Sequence, residues 1–268
     1  MTIDSKRYRD APARRTAVLE LVRSHGFCRI ADLSDQLGVS RITVRRDIAR
    51  LELDQLVKGA HGGVVAVVPP SLGTHFSTRS RANSARKRAI AERAIEYISS
   101  KRIGPLAIDA GTTGFEVARL LTPSTPLCVI THSLPVMLEL SDRPNVEVIG
   151  VGGVLHSETQ AFAGPATVAA YAALRLDVVL LTTSAVRGNT MFCGNAFDAD
   201  TKRQMMSVAD EVVLLVDASK FEGAAPFQVA GMDRVDVVVV DHLATEDLIS
   251  SLRDQTLTVL VAAPFDDA

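Results

Sequence analysis

The sequence predicts an α/β protein: a mostly parallel, Rossmann-like sheet domain preceded by a small N-terminal winged helix-turn-helix domain. Three observations carry this. From Pro105 onward, strand-length apolar runs alternate with stretches of helical periodicity, the pattern of a parallel sheet covered on both faces. Between Arg29 and Gly63 come a short helical stretch, a glycine turn, a second helical stretch and a glycine-tipped basic hairpin. The charge is also split. A net −2 conceals 12 Lys/Arg against 8 Asp/Glu in residues 1–65, 8 against 2 in 66–102, and 9 against 21 in 103–268. A basic N-terminal part on an acidic body is the electrostatic footprint of a DNA reader whose other domain has a different task.

Composition bounds the rest. The chain has 268 residues, 47% of them hydrophobic, with 4% aromatics and no Trp, which suits two domains with an Ala/Val/Leu-rich core in the larger. Cys28, Cys128 and Cys193 lie far apart in no metal-ligand spacing, and are expected to be idle thiols of a reducing cytoplasm. No metal or cofactor is expected. The opening MTIDSKRYRD lacks the apolar stretch of a signal peptide, and runs such as VDVVVV are too short to span a bilayer. The expectation is a cytoplasmic protein with no membrane partner.

Residues 11–68 are read as the DNA-binding domain. A helix over 11–28 turns Val18, Leu19 and Val22 inward. On a helix beginning at Arg41, Val44, Ile48 and Leu51 fall at i, i+4 and i+7 as one buried stripe. Ser40 is suited to cap it, and Gly38 to the tight turn before it. Ile42, Arg45, Arg46 and Ala49 then face outward. A solvated, positively charged face would account for the arginines; a DNA groove accounts for the isoleucine as well. Candidate DNA contacts are Ser40, Arg41, Ile42, Thr43, Arg45 and Arg46, with Lys58 and His61 from the wing. An arginine can bind guanine O6/N7 or clamp a phosphate, and Ile42 can touch a thymine methyl. One such helix reads few base pairs, so a homo-oligomer, dimer or tetramer, on repeated half-sites is expected. The acidic domain, or the helix around Ile90–Ile98, would be its assembly surface. Residues 69–83, opening on Pro69–Pro70, read as a linker.

The α/β domain spans 84–268. Its first helix, SARKRAIAERAIEYISS, places Ile90, Ala94 and Ile98 on one face. The strands PLAID, LCVIT, VEVIGVGG, VVLLTT, EVVLLVD, VDVVVVD and LTVLV alternate with the helices GFEVARLL, LPVMLEL, ATVAAYAAL, ADTKRQMMSVA and EDLISSLRDQ. Ligands in such sheets bind beyond the carboxyl ends of the strands. The first end, Asp109 to Gly114, opens into a helix: Gly111 admits close approach of an anion, Thr112 and Thr113 donate, and the helix terminus presents free amides. Alone, this run is equally a plain βα turn. Thr131-His132-Ser133, Gly152-Gly153 and Asp217-Ala218-Ser219-Lys220 would converge on the same rim. Hydroxyls, glycine amides and a cation together suit an anionic, polyhydroxylated ligand. His132 reads either as a hydrogen-bonded structural residue or as a ligand contact. Asp198 reads as a helix cap, while Asp200 either accepts sugar hydroxyls or pairs with Lys202 across solvent.

LGVSRITVRRDIARLE followed by HGG closely resembles the DeoR-type family of bacterial transcription regulators, whose VS-x-x-TIRRDL pattern is met by Val39, Ser40, Thr43, Val44, Arg45, Arg46, Asp47 and Ile48. The wing is met by His61, Gly62 and Gly63, although Gly59 stands where relatives usually carry an arginine, with Lys58 one place earlier. Further on, the family's D-S-G-T-T, T-N-S-L, G-G and D-x-S-K motifs match Asp109–Thr113, Thr131–Leu134, Gly152–Gly153 and Asp217–Lys220. Ala110 replaces the usual serine, His132 the usual asparagine, and His156 stands where relatives often place a basic residue. The resemblance implies a sensor domain like ribose-5-phosphate isomerase and glucosamine-6-phosphate deaminase folds. It also implies a phosphosugar effector that alters operator binding, most readily in a repressor of a carbohydrate operon. The effector set is then Asp109, Gly111, Thr112, Thr113, Thr131, His132, Gly152, Gly153, Asp200 and Lys220. The alternative is a sugar-phosphate isomerase or deaminase with an added DNA-binding domain, using Asp109, Asp200 and Lys220, though no acid/base pair is placed by spacing. A module of repair or RNA metabolism lacks the catalytic or stacking motifs.

Overall fold

The computed structural model describes residues 11–25, 27–53, 56–60, 62–66, 76–255 and 257–264. The chain divides into two compact units, Met1–Pro70 and Ser71–Ala268.

In the first unit, α1 (Ala11–His25), β1 (Phe27–Arg29), α2 (Ile30–Leu37), α3 (Arg41–Leu53), β2 (Val57–Ala60) and β3 (Gly63–Ala66) follow one another. The strands form an antiparallel sheet in the order β1-β3-β2. The inward stripe of α3, Val44, Ile48 and Leu51, packs with Val18 and Val22 of α1, Leu33 and Leu37 of α2, and Val57 and Val64 of the wing. Gly38 ends α2 at φ 63°, ψ 33°, a left-handed geometry that glycine adopts without a Cβ clash. Ser40 caps α3, its Oγ accepting from the Thr43 amide at 3.1 Å. Beneath the helix, Arg14 holds Asp47 through two bonds of 2.5 and 3.2 Å. One expectation is corrected: the opening helix stops at His25, and Phe27–Arg29 instead pairs with Gly63–Val65 as the third strand of the wing sheet.

The second unit begins with α4 (Phe76–Arg81) and α5 (Ser84–Ser99). Then come β4 (Leu106–Ile108), α6 (Thr112–Leu120), β5 (Leu127–Thr131), α7 (Leu134–Leu140), β6 (Val146–Gly150), the hairpin β7 (Val154–His156) and β8 (Ala161–Ala163), and α8 (Pro165–Ala172). The chain continues through β9 (Leu176–Thr182), β10 (Ala185–Arg187), β11 (Thr190–Cys193), α9 (Ala196–Ser207), β12 (Ala209–Val216), β13 (Phe227–Gly231), β14 (Val237–Val240), α10 (Glu246–Arg253) and β15 (Thr258–Val261). The main sheet has seven parallel strands in the order β15-β14-β12-β9-β4-β5-β6.

Strand periodicity divides its core in two. Leu106, Ile108, Val178, Leu180, Val213 and Leu215 face a layer holding α5, α6 and α7. The alternate residues Ala107, Val179, Leu181, Leu214 and Val216 face α8, α9 and α10. Ile90, Ala94 and Ile98 belong to the first layer at 0%, 0% and 2% exposure, so that face of α5 is spent on the core and is no assembly surface.

The expected linker is shorter than residues 69–83. Phe76–Arg81 is helical because Phe76 is an anchor: its ring meets Phe115 of α6 edge-on at 5.5 Å, and its amide donates to the Glu158 carbonyl at 2.7 Å. The apolar runs also gave no hint of the hairpin β7-β8 or of the antiparallel sheet β10-β11-β13. The Gly188-Asn189 turn between β10 and β11 was a readable hairpin signal.

The sheet order locates the switch point at which open α/β sheets bind ligands. The chain leaves β4 towards β5 and β6, then returns to the other side of β4 with β9. The switch point of the sheet therefore lies between the carboxyl ends of β4 and β9, where such sheets form their crevice.

Candidate functional site

On α3, Arg41, Ile42, Arg45, Arg46 and Ala49 are exposed, as are Arg50, Glu52 and Leu53. Ile42 is 72% exposed. Thr43 is half-buried, its hydroxyl 2.8 Å from that of Ser40. Lys58 is exposed on β2, and Gly59 donates its amide to Glu52 of α3, a contact that ties the wing to the recognition helix. His61 lies outside the described residues.

The crevice between β4 and β9 is built on a buried charge cluster. Asp109, at the end of β4, is fully buried; its Oδ2 accepts from Lys202 Nζ of α9 and from the Thr182 amide at 3.0 Å and the Thr182 hydroxyl. Lys202, 3% exposed, also meets Asp198 one turn earlier at 3.2 Å. His132 Nδ1 lies 3.0 Å from the Tyr171 hydroxyl, and its Nε2 lies 3.8 Å from Asp109 Oδ1. Burial alone would push the Asp109 carboxyl up, but the Lys202 ammonium, then His132 and the hydrogen bonds, hold it below its ordinary range. Burial likewise opposes charge on Lys202, and Asp109 reverses this, raising its pKa. Burial pushes His132 down and Tyr171 well up, so both are neutral at pH 7. With Asp109 ionised, the favoured imidazole tautomer points Nε2–H at the carboxylate and accepts the Tyr171 proton on Nδ1.

This cluster sets the rim above it. Gly111 precedes α6 against Thr182: a Cβ there would sit 2.0 Å from the Thr182 Oγ1, so only glycine lets α6 start this close to β9. The first-turn amides of α6 and the hydroxyls of Thr112 and Thr113, each 7% exposed, follow directly. Lys220 stands in a 3-10 turn, Ala218–Phe221, its Nζ 3.9 Å from Asp217 Oδ2 and its side chain 35% exposed.

The sequence-predicted set thus divides. Gly111, Thr112, Thr113 and Lys220 lie at the carboxyl ends of strands. Thr131 lies under the rim, its hydroxyl donating to the Ile108 carbonyl at 2.7 Å and accepting from the Ser133 amide at 3.1 Å. Asp109 and His132 are enclosed in the charge cluster. Gly152 and Gly153 are exposed after β6, with Thr167 donating to the Gly152 carbonyl at 2.8 Å. His156 packs its ring on the half-exposed Phe197 at 5.1 Å.

Two expectations for α9 are corrected. Asp200 and Lys202, two residues apart, leave a helix on different sides: Asp200 is exposed and pairs with Arg203 at 2.5 Å, while Lys202 turns inward to Asp109. The cap of α9 is Asn195, which accepts from the Asp198 amide at 2.8 Å. Asp109, Asp200 and Lys220, the trio considered for acid/base chemistry, are therefore not assembled on one reacting centre.

Sequence reasoning missed Thr182, Lys202, Arg79 and Lys87. Lys87 had a readable signal: it shares the buried stripe of Ile90, Ala91, Ala94 and Ile98, at spacings of three, four, seven and eleven. Asp109, His132 and Asp198 approach closely enough for a metal, yet the Lys202 ammonium already pairs with both carboxylates and supplies their counter-charge. A shallow depression lined by Gly104, Pro105, Leu127 and Asn145 lies at the opposite, amino-terminal end of the strands, where helices end and an anion is disfavoured.

The His132 environment generates a pH prediction. Its folded pKa is depressed from the ordinary 6.5, so the unfolded chain binds the extra proton and stability falls as pH drops below 6.5. His132→Asn should flatten the melting temperature between pH 6.5 and the acid unfolding limit set by the carboxylates. An unchanged slope in a melting series against pH would refute the buried neutral imidazole.

Comparison with known proteins places the two units in one family. Residues 14–69 match the DeoR-like helix-turn-helix domain, and residues 82–242 match the DeoR C-terminal sensor domain. An uncharacterized HTH-type transcriptional regulator of Bacillus subtilis (strain 168) is 30% identical over 92% of this chain and 95% of its own. A putative aga operon transcriptional repressor of Escherichia coli O157:H7 is 29% identical, over 96% of each chain. An L-fucose operon activator of Haemophilus influenzae is 29% identical over 88% of this chain and 94% of its own. A D-ribose-5-phosphate isomerase structure aligns with half of the chain, 50% of this one and 52% of that, at a TM-score of 0.36 and 16% identity. A recognition helix on a capped, glycine-turned scaffold and a parallel-sheet sensor domain are those of a DNA-binding transcription regulator, and the chain belongs to the DeoR family.

Proposed function

We propose that this regulator represses a carbohydrate-metabolism operon and that a phosphorylated sugar, bound at the carboxyl ends of β4 and β9, controls its hold on DNA. The observation that carries the effector reading is the α6 entry. A glycine pressed against Thr182 brings two threonine hydroxyls and free helix amides to a topological switch point, with Lys220 on the same rim. Donors of that kind match phosphate oxygens and sugar hydroxyls. Asp109 and Lys202 hold this entry rather than transfer protons, because each is neutralised by the other and closed off from solvent. We read the protein as a sensor without turnover, cytoplasmic like its DNA target. The relatives' names, one a repressor of the aga operon and one an activator of the L-fucose operon, support sugar control.

On DNA, Arg45, Arg46 and Ile42 contact base edges in the major groove. Arg41, Ser40 and Thr43 stand at the helix start and Lys58 on the wing, where phosphates run, and His61 is a further phosphate contact on the ground of its sequence position. A homo-oligomer supplies the second half-site. Arg45→Ala or Arg46→Ala should cost about 1–3 kcal/mol of operator affinity and relax preference at one position if the residue reads a base. A lost phosphate contact should instead weaken all sequences alike and reduce the salt slope by about one. Titrations against operator and scrambled duplexes at several salt concentrations distinguish these outcomes; no change in either quantity would remove α3 as the reader.

For the sensor, Lys220→Ala should weaken binding of a sugar phosphate more than Thr112→Val or Thr113→Val, since an enclosed phosphate needs a counter-charge. Operator affinity of the unliganded variant should remain that of wild type. A panel of pentose and hexose phosphates, read by calorimetry with wild type and variant, tests this; an undiminished response would place the signal elsewhere.

A further inference from the structure

One corner of the sensor sheet is left without cover. β6 stands at the end of the seven-strand order, so it has a neighbour, β5, on one side only. Its ladder with β5 uses the backbone of alternate residues. The Asn145 carbonyl accepts from the Leu127 amide and the Val151 amide donates to the Thr131 carbonyl, with Glu147 and Ile149 in the same phase between them. Val146, Val148 and Gly150 therefore turn their backbone groups outward. The Val146 amide is met by the Arg143 carbonyl at 3.2 Å, while the amides of Val148 and Gly150 have no partner among the described residues. Edges of this kind are usually blunted by proline or by charge; between Asn145 and Val151 the sole charge is Glu147. Apolar surface collects beside the edge. Leu138 of α7 is 67% exposed, and its neighbour Met137 overlies Gly150. Ile149 is exposed, and the hairpin that follows presents Val154 at 64% and Leu155 beside it. At the other end of the same strand lies the depression of about 500 Å³ whose walls include Pro126, Leu127, Cys128 and Val146. β6 thus has apolar projections beyond its carboxyl end and a hollow at its amino end.

Both features fit one occupant, a second copy of this chain. A two-fold rotation about the middle of a strand exchanges its ends, so it carries each projection to the other copy's hollow, the reciprocity that an isologous contact needs. We propose that two sensor units pair antiparallel through β6 about an axis at Val148, joining their sheets into one, with the β7–β8 hairpin of each set against the amino end of the partner's β6. This centre matches the outward donors. Val148 exchanges both of its bonds with the partner's Val148, and the Gly150 amide meets the partner's Val146 carbonyl. Glu147 then lies opposite the partner's Ile149, so like charges are not apposed. On the face that α7 covers, Leu138 of each copy borders the seam. The four exposed apolar side chains supply roughly 400 Å² per copy, about half of what a standard interface buries, and the strand backbone and the hollow add to it. The opposite edge, β15, suits this less: Val261, at 36%, is the large apolar side chain it exposes, and Pro264 follows closely. The pairing rests on the homo-oligomer reading above and gives it a surface; two paired copies carry the two readers that repeated half-sites require.

The test measures the mass of the full chain by sedimentation over a range of concentrations, free and on a duplex with two half-sites. Val148→Pro removes an outward amide and spares the ladder to β5, a change that edge strands tolerate. Leu138→Lys sets a charge beside the seam from an exposed helix position, where it leaves the fold intact. Wild type should be a dimer, or a tetramer built from that dimer. Each variant should raise the dissociation constant of the pair about tenfold or more while keeping the wild-type circular dichroism. The amides of Val148 and Gly150 should exchange slowly in wild type and fast in Leu138→Lys. Val261→Lys, on β15, should leave assembly unchanged. Affinity for a duplex with one half-site should stay that of wild type in every variant, with the loss confined to two half-sites. If Val148→Pro loses its circular dichroism, Leu138→Lys and the exchange rates decide. If wild type assembles and either folded β6-side variant assembles as tightly, or if Val261→Lys is the change that breaks the pair, β6 is not the seam and the homo-oligomer reading stands without it. A wild type that stays monomeric at micromolar concentration, both free and on DNA, overturns both.

Discussion

The sensor unit is organised around one buried ion pair, Asp109 with Lys202. Taking a carboxylate and an ammonium out of water costs several kcal/mol each, and their attraction offsets this only with good geometry and further hydrogen bonds. Those are supplied: Thr182 donates twice to the same carboxylate oxygen, and Asp198 adds a second ion pair to the ammonium at 3.2 Å. The pair joins the ends of β4, β9 and α9, three elements far apart in sequence. With it in place, Thr182 is fixed, Gly111 must be glycine, and α6 begins where its amides face the switch point. Donors that must not move when a ligand arrives are positioned in this way.

The DNA-binding unit applies the same principle at its surface. The outward face of α3 can stay polar and exposed because its inner stripe, its Ser40 cap and the Arg14–Asp47 contact fix the helix from behind. The two units divide the charge: the DNA-binding unit carries an excess of cations and the sensor unit an excess of acids.

Much of this was legible in the sequence. LCVIT and LPVMLEL correspond residue for residue to β5 and α7, because a continuous apolar run and a capped apolar stripe each have one stable burial. Ser40 and Gly38 were legible for the same local reason. What escaped was non-local. Lys202 meets an aspartate 93 positions away, and nothing in ADTKRQMM says that Lys202, rather than Asp200, turns inward. His132 looked like a rim residue because its motif sits at a strand end; Tyr171, 39 positions on, draws it beneath the rim. The segment after Pro70 read as a linker because its composition is polar, while a single aromatic, Phe76, is enough to dock it.

The central claim is that Asp109 and Lys202 act as one unit on which the crevice is built. A double-mutant cycle in denaturant unfolding measures this directly, using Asp109→Asn, Lys202→Met and the combined variant. The account predicts that each single change costs about 3 kcal/mol or more, since it strands a buried charge. The double variant should cost far less than their sum, with a coupling energy above about 2 kcal/mol. Two single effects that simply add would contradict it, and would mean that the rim is held by the surrounding apolar layers alone.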